Sequence, residues 1–140
     1  MMTAKDGAAR SGGSILVDAL RINGVDTIFG VPGESALPVF DALRDQAHGV
    51  RFIVCRHEAN ACHMAEADGK LRGIPGVCIV SRGPGAMHAA VGVHTAFQDS
   101  TPLVLIIGQL PRAHRGREGF QEMDYSRTFA DMTKWAADIP

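Results

Sequence analysis

Apolar residues follow two alternating patterns along this chain. Four short runs are apolar at nearly every position, which is typical of parallel strands buried on both faces: residues 27–31, 51–55, 76–81 and 102–107. Elsewhere apolar residues recur at intervals of three and four, which predicts helices over residues 14–22, 35–46, 58–71 and 84–98. Strands that alternate with helices predict an α/β fold: a three-layer, mostly parallel open sheet with helices on both faces.

The two ends of the chain carry weaker patterns. Residues 1–13 are small and polar without an apolar run, and we expect a disordered lead-in to one domain over residues 14–140. Residues 111–123 have no period and predict an exposed loop. Beyond this loop, residues 124–134 favour a short helix and residues 135–139 favour a fifth strand.

Charge and cysteine content exclude several classes of function. The 140 residues carry 15 acidic and 14 basic side chains, and this balance argues against a nucleic-acid-binding protein, which needs a clustered basic excess. The longest apolar run, residues 103–107, is too short to span a membrane. Cys55, Cys62 and Cys78 have no regular spacing, which indicates reduced thiols in a cytoplasmic protein and not a disulfide framework.

Unusual residues follow the predicted strands. Val31-Pro32-Gly33 comes after the first, Arg56-His57-Glu58 after the second and Arg82-Gly83-Pro84-Gly85 after the third. Ligands of open parallel sheets bind beyond the carboxyl ends of the strands, so these residues are candidates for a binding site. Glu58 is the most informative of them, although a carboxylate at the start of a helix can also serve only as a partner for backbone amides.

Three familiar catalytic motifs are absent and a fourth is incomplete. The chain has no GxxxxGK[ST] phosphate loop and no nucleophile elbow, and His57-Glu58 lacks a second histidine at the HExxH spacing of a zinc protease. No residue is predicted to hold a metal ion. The segment from Gly83 to His88 opens a helix after a strand, as a dinucleotide-binding loop does, but His88 replaces the third glycine. Nucleotide binding through Gly83, Pro84 and Gly85 is therefore an alternative function.

Four blocks of sequence in a fixed order carry a more specific signal. They are GVPGES at residues 30–35, RHEANACHMAEADGKLRG at 56–73, SRGPGAMHAAVGVHTAFQDSTPLVLIIGQ at 81–109 and REGFQEMD at 117–124. Together they resemble the N-terminal, pyrimidine-binding (PYR) domain of thiamine-diphosphate-dependent enzymes of the acetolactate synthase type. The resemblance covers nearly the whole chain, from about residue 14 to residue 135.

The resemblance implies a site for the pyrimidine end of thiamine diphosphate. In that family the glutamate after the second strand hydrogen-bonds the N1′ nitrogen of the aminopyrimidine and activates the cofactor, and Glu58 matches it. Gln121 matches a glutamine that reaches into the reaction site, so Glu58 and Gln121 are the expected catalytic residues. The expected cofactor-binding residues are Val31, Pro32, Gly33, Glu58, Gly83, Pro84, Gly85 and His88.

Two positions depart from the usual family pattern. His88 stands where asparagine or a small polar residue is common, and it is expected to alter contacts near the pyrimidine. Arg82 stands where a small residue is common, and we expect it to be a solvent-facing or interface charge. Phe120 is expected either to form an apolar wall beside Gln121 or to pack in the ordinary way.

The resemblance implies that parts of the family's active site lie outside this sequence. In the family, the Mg²⁺ ion that binds the diphosphate belongs to a separate domain marked by GDG, a motif that this sequence does not contain. By the same resemblance, we expect the final helix and strand of the PYR domain to be missing. We therefore expect half of a lyase or transferase for 2-keto acids, inactive alone, that pairs as a homodimer or with a diphosphate-binding domain or subunit. The use of FAD is left open. The alternative is a non-catalytic orphan domain that dimerises or binds a partner.

Overall fold

A computed structural model describes residues 9–44 and 49–139 of the chain. Its helices and strands, in chain order, are α1 Gly12–Ile22, β1 Thr27–Gly30, α2 Leu37–Arg44, β2 Arg51–Val54, α3 Glu58–Arg72, β3 Gly76–Val80, α4 Gly83–Asp99, β4 Leu103–Ile107 and α5 Tyr125–Thr128. Short 3-10 turns lie at Glu34–Ala36, Arg112–His114 and Ala130–Met132. The four strands pair in parallel, in the order β2-β1-β3-β4.

Different helices cover the two faces of the sheet. Successive side chains of a strand point to opposite faces, and β3 shows this clearly because all its residues are buried. Val77 and Ile79 pack in one core with Val17 of α1, whereas Cys78 and Val80 pack in a second core with residues of α3 and α4. The predicted α/β fold, with a parallel open sheet and helices on both faces, is confirmed.

Capping residues set the ends of the helices. α1 begins at Gly12, two residues before its predicted start, because the Ser11 hydroxyl accepts a hydrogen bond from the amide of Ser14 at 3.1 Å. The lead-in predicted over residues 1–13 therefore includes the first residues of α1. Residues 1–8 lie outside the described part of the chain. α3 ends at Arg72 and is capped by Gly73, whose left-handed backbone (φ 69°) is typical of the residue after a helix.

Two helices pack at unusually close range on one face of the sheet. A Cβ added to Gly92 of α4 would lie 2.7 Å from the Cβ and Sγ of Cys62 on α3, so only glycine allows this approach. Beneath this contact, a hydrogen bond with Cys62 and burial raise the pKa of the Cys78 thiol well above its usual range. Cys55, Cys62 and Cys78 are all buried free thiols.

The predicted fifth strand at residues 135–139 is wrong. These described residues form no strand, and the apolar side chains of Trp135 and Ile139 remain exposed. Asp138 instead forms an ion pair with Arg115 at 2.7 Å, which links this segment to the loop after β4. The helix predicted over residues 124–134 is reduced to α5 and the 3-10 turn Ala130–Met132.

The second predicted helix, over residues 35–46, also differs at its ends. It starts with the 3-10 turn Glu34–Ala36 and continues as α2, while residues 45 and 46 lie outside the described part of the chain. Among the helices that the structure describes, none has both the length and the apolar character that crossing a membrane requires.

Candidate functional site

The connections of the sheet reverse direction between β1 and β3, which creates a crevice at the carboxyl ends of these strands. The chain crosses from β1 to β2 on one side and from β3 to β4 on the other. Open α/β sheets bind their ligands at such switch points. Val31, Pro32 and Gly33 follow β1 here, and a Cβ added to Gly33 would lie 2.6 Å from the Cβ of Ser81, which follows β3. The loops after the two strands therefore meet at this crevice.

Glu58 is the first residue of α3 and lies at the same edge of the sheet. Its neighbour His57 has an extended backbone and caps the helix, because His57 Nδ1 accepts the amide N–H of Ala59 at 3.2 Å. The Glu58 carboxylate instead contacts α4, and its side chain is only 16% exposed. In the described contacts, the side-chain cap of α3 is thus His57 and not Glu58.

His88 of α4 contacts Glu58 directly. His88 Nδ1 lies 2.9 Å from Glu58 Oε2, and the donor of this hydrogen bond is set by the tautomer of His88 and the protonation of the carboxyl group. The His57 ring stacks on the His88 ring, with centroids 4.6 Å apart and planes inclined by 29°. One ligand atom from each of His57, Glu58 and His88 lies within 4.8 Å of the others. The sequence predicted no metal-ligating residues, and this cluster forms only because α3 packs on α4.

Gly85 leaves space beside the other oxygen of the Glu58 carboxylate. A Cβ added to Gly85 would lie 3.4 Å from Glu58 Oε1 and 3.6 Å from the Cβ of Ser81. Pro84 precedes it in the first turn of α4, where a residue without an N–H fits because no intrahelical partner exists for that group. The first turn of α4 therefore brings backbone, without side chains, close to the carboxylate.

The loop that carries Gln121 is attached to the same turn of α4. The amide of Gly83 donates to the carbonyl oxygen of Gln121 at 3.1 Å, and Gln121 itself has a left-handed backbone (φ 65°). Glu122 fixes the loop, because its carboxylate accepts the amides of Gly116 at 2.6 Å and Gly119 at 3.0 Å. These amide donors hold the pKa of the Glu122 carboxyl below its usual range.

Arg82 is buried, which corrects the expectation of a solvent-facing or interface charge. Its side chain is 8% exposed and forms an ion pair with Glu34, whose side chain is 74% exposed. The Arg82 guanidinium carbon also lies 5.9 Å from the centroid of the Phe120 ring. Arg82 therefore connects the loop after β1 to the loop that carries Phe120. Arg82 and Glu34 are 48 residues apart, so the sequence does not indicate that they form a pair.

A cavity of about 730 Å³ lies beside the Gln121 loop, between that loop and α5. Its lining includes Gln109, Gln121 and Tyr125, but Glu58 is not among the lining residues. The first turn of α4 connects the two expected catalytic residues, because Gly83 bonds to the backbone of Gln121 and Gly85 lies beside the Glu58 carboxylate. Gln109 supports the cavity wall, because its Nε2 donates to the carbonyl of Met123 at 3.0 Å.

Comparison with known families agrees with this geometry. Residues 10–128 match the family described as "Thiamine pyrophosphate enzyme, N-terminal TPP binding domain". The chain belongs to this family. Thiamine pyrophosphate is another name for thiamine diphosphate, so the resemblance found in the sequence blocks is confirmed.

Its relatives include several acetolactate synthases. The chain is 47% identical to the acetolactate synthase large subunit of Parasynechococcus marenigrum (strain WH8102) over 116 residues. This aligned region covers 81% of the chain and 19% of that protein. It is 41% identical over 128 residues to the acetolactate synthase of Bacillus subtilis (strain 168), covering 91% and 22%. The acetolactate synthase isozyme 2 large subunit of Escherichia coli (strain K12) is 43% identical over 114 residues, covering 81% and 20%. The chain thus spans about a fifth of the length of these relatives.

Proposed function

We propose that this domain holds the aminopyrimidine end of thiamine diphosphate and that Glu58 activates the cofactor. The observation that carries the proposal is the half-buried position of the Glu58 carboxylate, at the switch point of the sheet and beside the bare backbone of Gly85. A side chain at Gly85 would fill the space next to Glu58 Oε1, so the residues present fit a flat heterocycle that approaches this oxygen. When bound, the cofactor supplies the carbanion chemistry that amino-acid side chains cannot provide.

The residues of the crevice surround the pyrimidine ring and the substrate. Glu58 holds a proton at one carboxylate oxygen and shares it with the pyrimidine ring nitrogen. Val31, Pro32 and Gly33 line one edge of the ring, and Gly83, Pro84, Gly85 and His88 line the other. Gln121 acts on the substrate side, where the cavity beside its loop offers room for a small molecule.

The reaction that we propose is decarboxylation of a 2-keto acid followed by transfer of the remaining fragment, as a lyase or transferase. This reaction is supported by the relatives of the chain, which are named acetolactate synthases. We propose that a separate domain or subunit binds the diphosphate and Mg²⁺, so that this chain is inactive alone. The three buried free thiols fit a reducing cytoplasmic location as part of the same proposal.

Binding of the pyrimidine is tested with thiamine itself, which lacks the diphosphate. The amide resonances of Gly85 and Glu58 should shift in the NMR spectrum of the labelled chain as thiamine is added, and the shifts should disappear in Glu58→Gln. Glu66→Gln is the matched control, because Glu66 lies on the same helix and its oxygen accepts from Thr101 at 3.0 Å, which an amide oxygen can also do. Shifts that are the same in Glu58→Gln as in the native chain would contradict the proposal, and so would a preference for NAD over thiamine.

Cofactor activation is tested by exchange of the C2 proton of thiamine diphosphate. The chain alone should leave this exchange at the rate of the free cofactor, and addition of a diphosphate-binding domain that carries GDG should accelerate it. Glu58→Gln should then reduce the acceleration by a factor on the order of 10²–10⁴, the typical contribution of an acid–base group. Near-full acceleration in this variant would show that Glu58 does not activate the cofactor.

We further propose that the face around Glu58 is an interface with a second copy of the chain or with the diphosphate-binding domain. Apolar side chains are exposed on both helices of this face, namely Met64 on α3 and Met87 and Val91 on α4. Light scattering at high concentration should therefore detect dimers, and Met87→Lys together with Val91→Lys should dissociate them. A monomer at all concentrations, with no binding of a diphosphate-binding domain, would contradict this proposal. Dimers that never bind thiamine would favour the non-catalytic alternative.

A further inference from the structure

We propose that His57, Glu58 and His88 form a binding site for a divalent transition metal ion of the zinc, nickel or copper type. One ligand atom from each side chain lies within 4.8 Å of the others. Two imidazoles and one carboxylate are a donor set that these ions bind in many proteins. The site goes beyond the proposed function, which assigns no metal ion to this domain.

The contact between His88 and Glu58 brings two potential metal ligands close together. His88 Nδ1 and Glu58 Oε2 are 2.9 Å apart. Bonds from zinc to histidine nitrogen and to carboxylate oxygen are about 2.0–2.2 Å long, so an ion that binds both atoms at their present separation lies beside the line between them, with an angle of about 90° at the ion. This angle suits the tetragonal geometry of copper and nickel, whereas tetrahedral zinc requires the two side chains to move slightly apart. Binding releases the proton of the hydrogen bond to solvent, and the pair exchanges that hydrogen bond for two metal bonds.

His57 is the third ligand, and it must break an existing hydrogen bond before it can bind the ion. Its ring already lies against the ring of His88, but a neutral imidazole has one nitrogen with a free lone pair, and here that nitrogen accepts the amide of Ala59. Coordination by His57 therefore requires that this hydrogen bond be given up. The Ala59 amide consequently reports specifically on metal binding at this site, which adsorption to other surface histidines would not affect.

An ion can enter the site from solvent without disturbing the core. His57 and His88 are exposed, the latter at 53% of its side chain, and Glu58 faces them from the start of α3. The ion would occupy the carboxylate that is proposed to bind the pyrimidine. Metal ion and thiamine should therefore exclude each other, a consequence that rests on the proposed function.

The site is tested by calorimetric titration of the chelator-treated chain with zinc chloride. One ion per chain should bind, and affinity should fall by about tenfold or more in His88→Asn and in His57→Asn, each of which removes one ligand. Asparagine at position 57 can still cap α3, so this variant keeps the helix. The control is His94→Asn, which removes an exposed histidine from the same helix as His88 and should bind zinc as the native chain does. Circular dichroism establishes that each variant is folded.

Two spectroscopic measurements complete the test. The Ala59 amide resonance should shift when zinc binds, and Cu²⁺ bound to the chain should show two nitrogen ligands by electron paramagnetic resonance. An absence of zinc binding, native-like affinity in His88→Asn or an unmoved Ala59 resonance would overturn the site. Thiamine binding without zinc binding would refute the metal site and leave the proposed function standing. Zinc binding without thiamine binding would do the reverse.

Discussion

The bare α-carbon of Gly85 faces the Glu58 carboxylate: a Cβ at Gly85 would lie 3.4 Å from Glu58 Oε1, at ordinary van der Waals distance. Gly85→Ala should therefore fold with little loss of stability, since alanine also favours a helix. The same methyl group should occupy the space proposed for the pyrimidine and weaken thiamine binding. Thermal unfolding and the NMR titration with thiamine measure the two effects separately. Gly12→Ala, which has open space around it, is the control.

Unchanged thiamine binding in a folded Gly85→Ala chain would show that the pyrimidine does not approach this carboxylate oxygen. A large loss of stability, by contrast, would show that the first turn of α4 packs more tightly than the described distances indicate.

The ion pair of Arg82 and Glu34 is asymmetric, and its two partners should respond differently to substitution. Glu34→Gln removes the exposed charge and leaves the buried Arg82 guanidinium without a counter-ion, which should destabilise the domain by roughly 1–3 kcal/mol. Arg82→Met keeps most of the buried volume and leaves Glu34 in contact with water, so its effect should be smaller. Chemical denaturation of both variants measures the difference. A larger loss in Arg82→Met would mean that packing of the arginine, including its contact with Phe120, outweighs its charge.

The close contact between Gly92 and Cys62 should make α4 intolerant of a side chain at this position. Gly92→Ala would place a methyl group 2.7 Å from the Cys62 side chain, and we expect a loss of about 1–3 kcal/mol from overpacking. Cys62→Ser together with Gly92→Ala should not recover it, because Cys62 Cβ is also within 2.7 Å. The free energy of unfolding in urea measures the effect, with Gly12→Ala as the control. Native stability in Gly92→Ala would mean that the two helices can separate without cost.

Acid should loosen the loop that carries Gln121. The pKa of Glu122 is lowered in the folded protein by the amides of Gly116 and Gly119. A lowered folded-state pKa stabilises the loop at every pH above the ordinary range of glutamate, about 4.3, and this stabilisation is lost as the pH falls through the lowered value. Hydrogen exchange at the two glycine amides should accelerate below about pH 4, relative to the intrinsic rate.

Glu122→Gln should produce the loose loop even at neutral pH, because an amide oxygen is a weaker acceptor than a carboxylate. Glu118→Gln, an exposed carboxylate in the same loop, should leave the exchange of Gly116 and Gly119 unchanged. If the two variants behave alike, net charge and not the hydrogen bonds of Glu122 orders the loop.

Much of the fold and the family could be predicted from the sequence, because the deciding interactions are local or repeat along the chain. Apolar runs marked all four strands to within one residue at each end, and helical spacing marked α3 and α4. The position of the candidate residues directly after the first three strands placed them at one edge of the sheet. Four blocks in fixed order identified the family, which the match over residues 10–128 confirmed. The roles of Glu58 and Gln121 remain predictions.

Only the tertiary structure decided which side chains meet across the elements. His88 is thirty residues from Glu58, and Arg82 is 48 residues from Glu34, so no spacing rule connects either pair. Arg82 is buried because a distant carboxylate neutralises it, and an arginine considered alone is expected in solvent. The segment at residues 135–139 is not a strand for a related reason: a short apolar pattern becomes a strand only where it pairs with the edge of a sheet, and in the described structure this segment pairs with no strand.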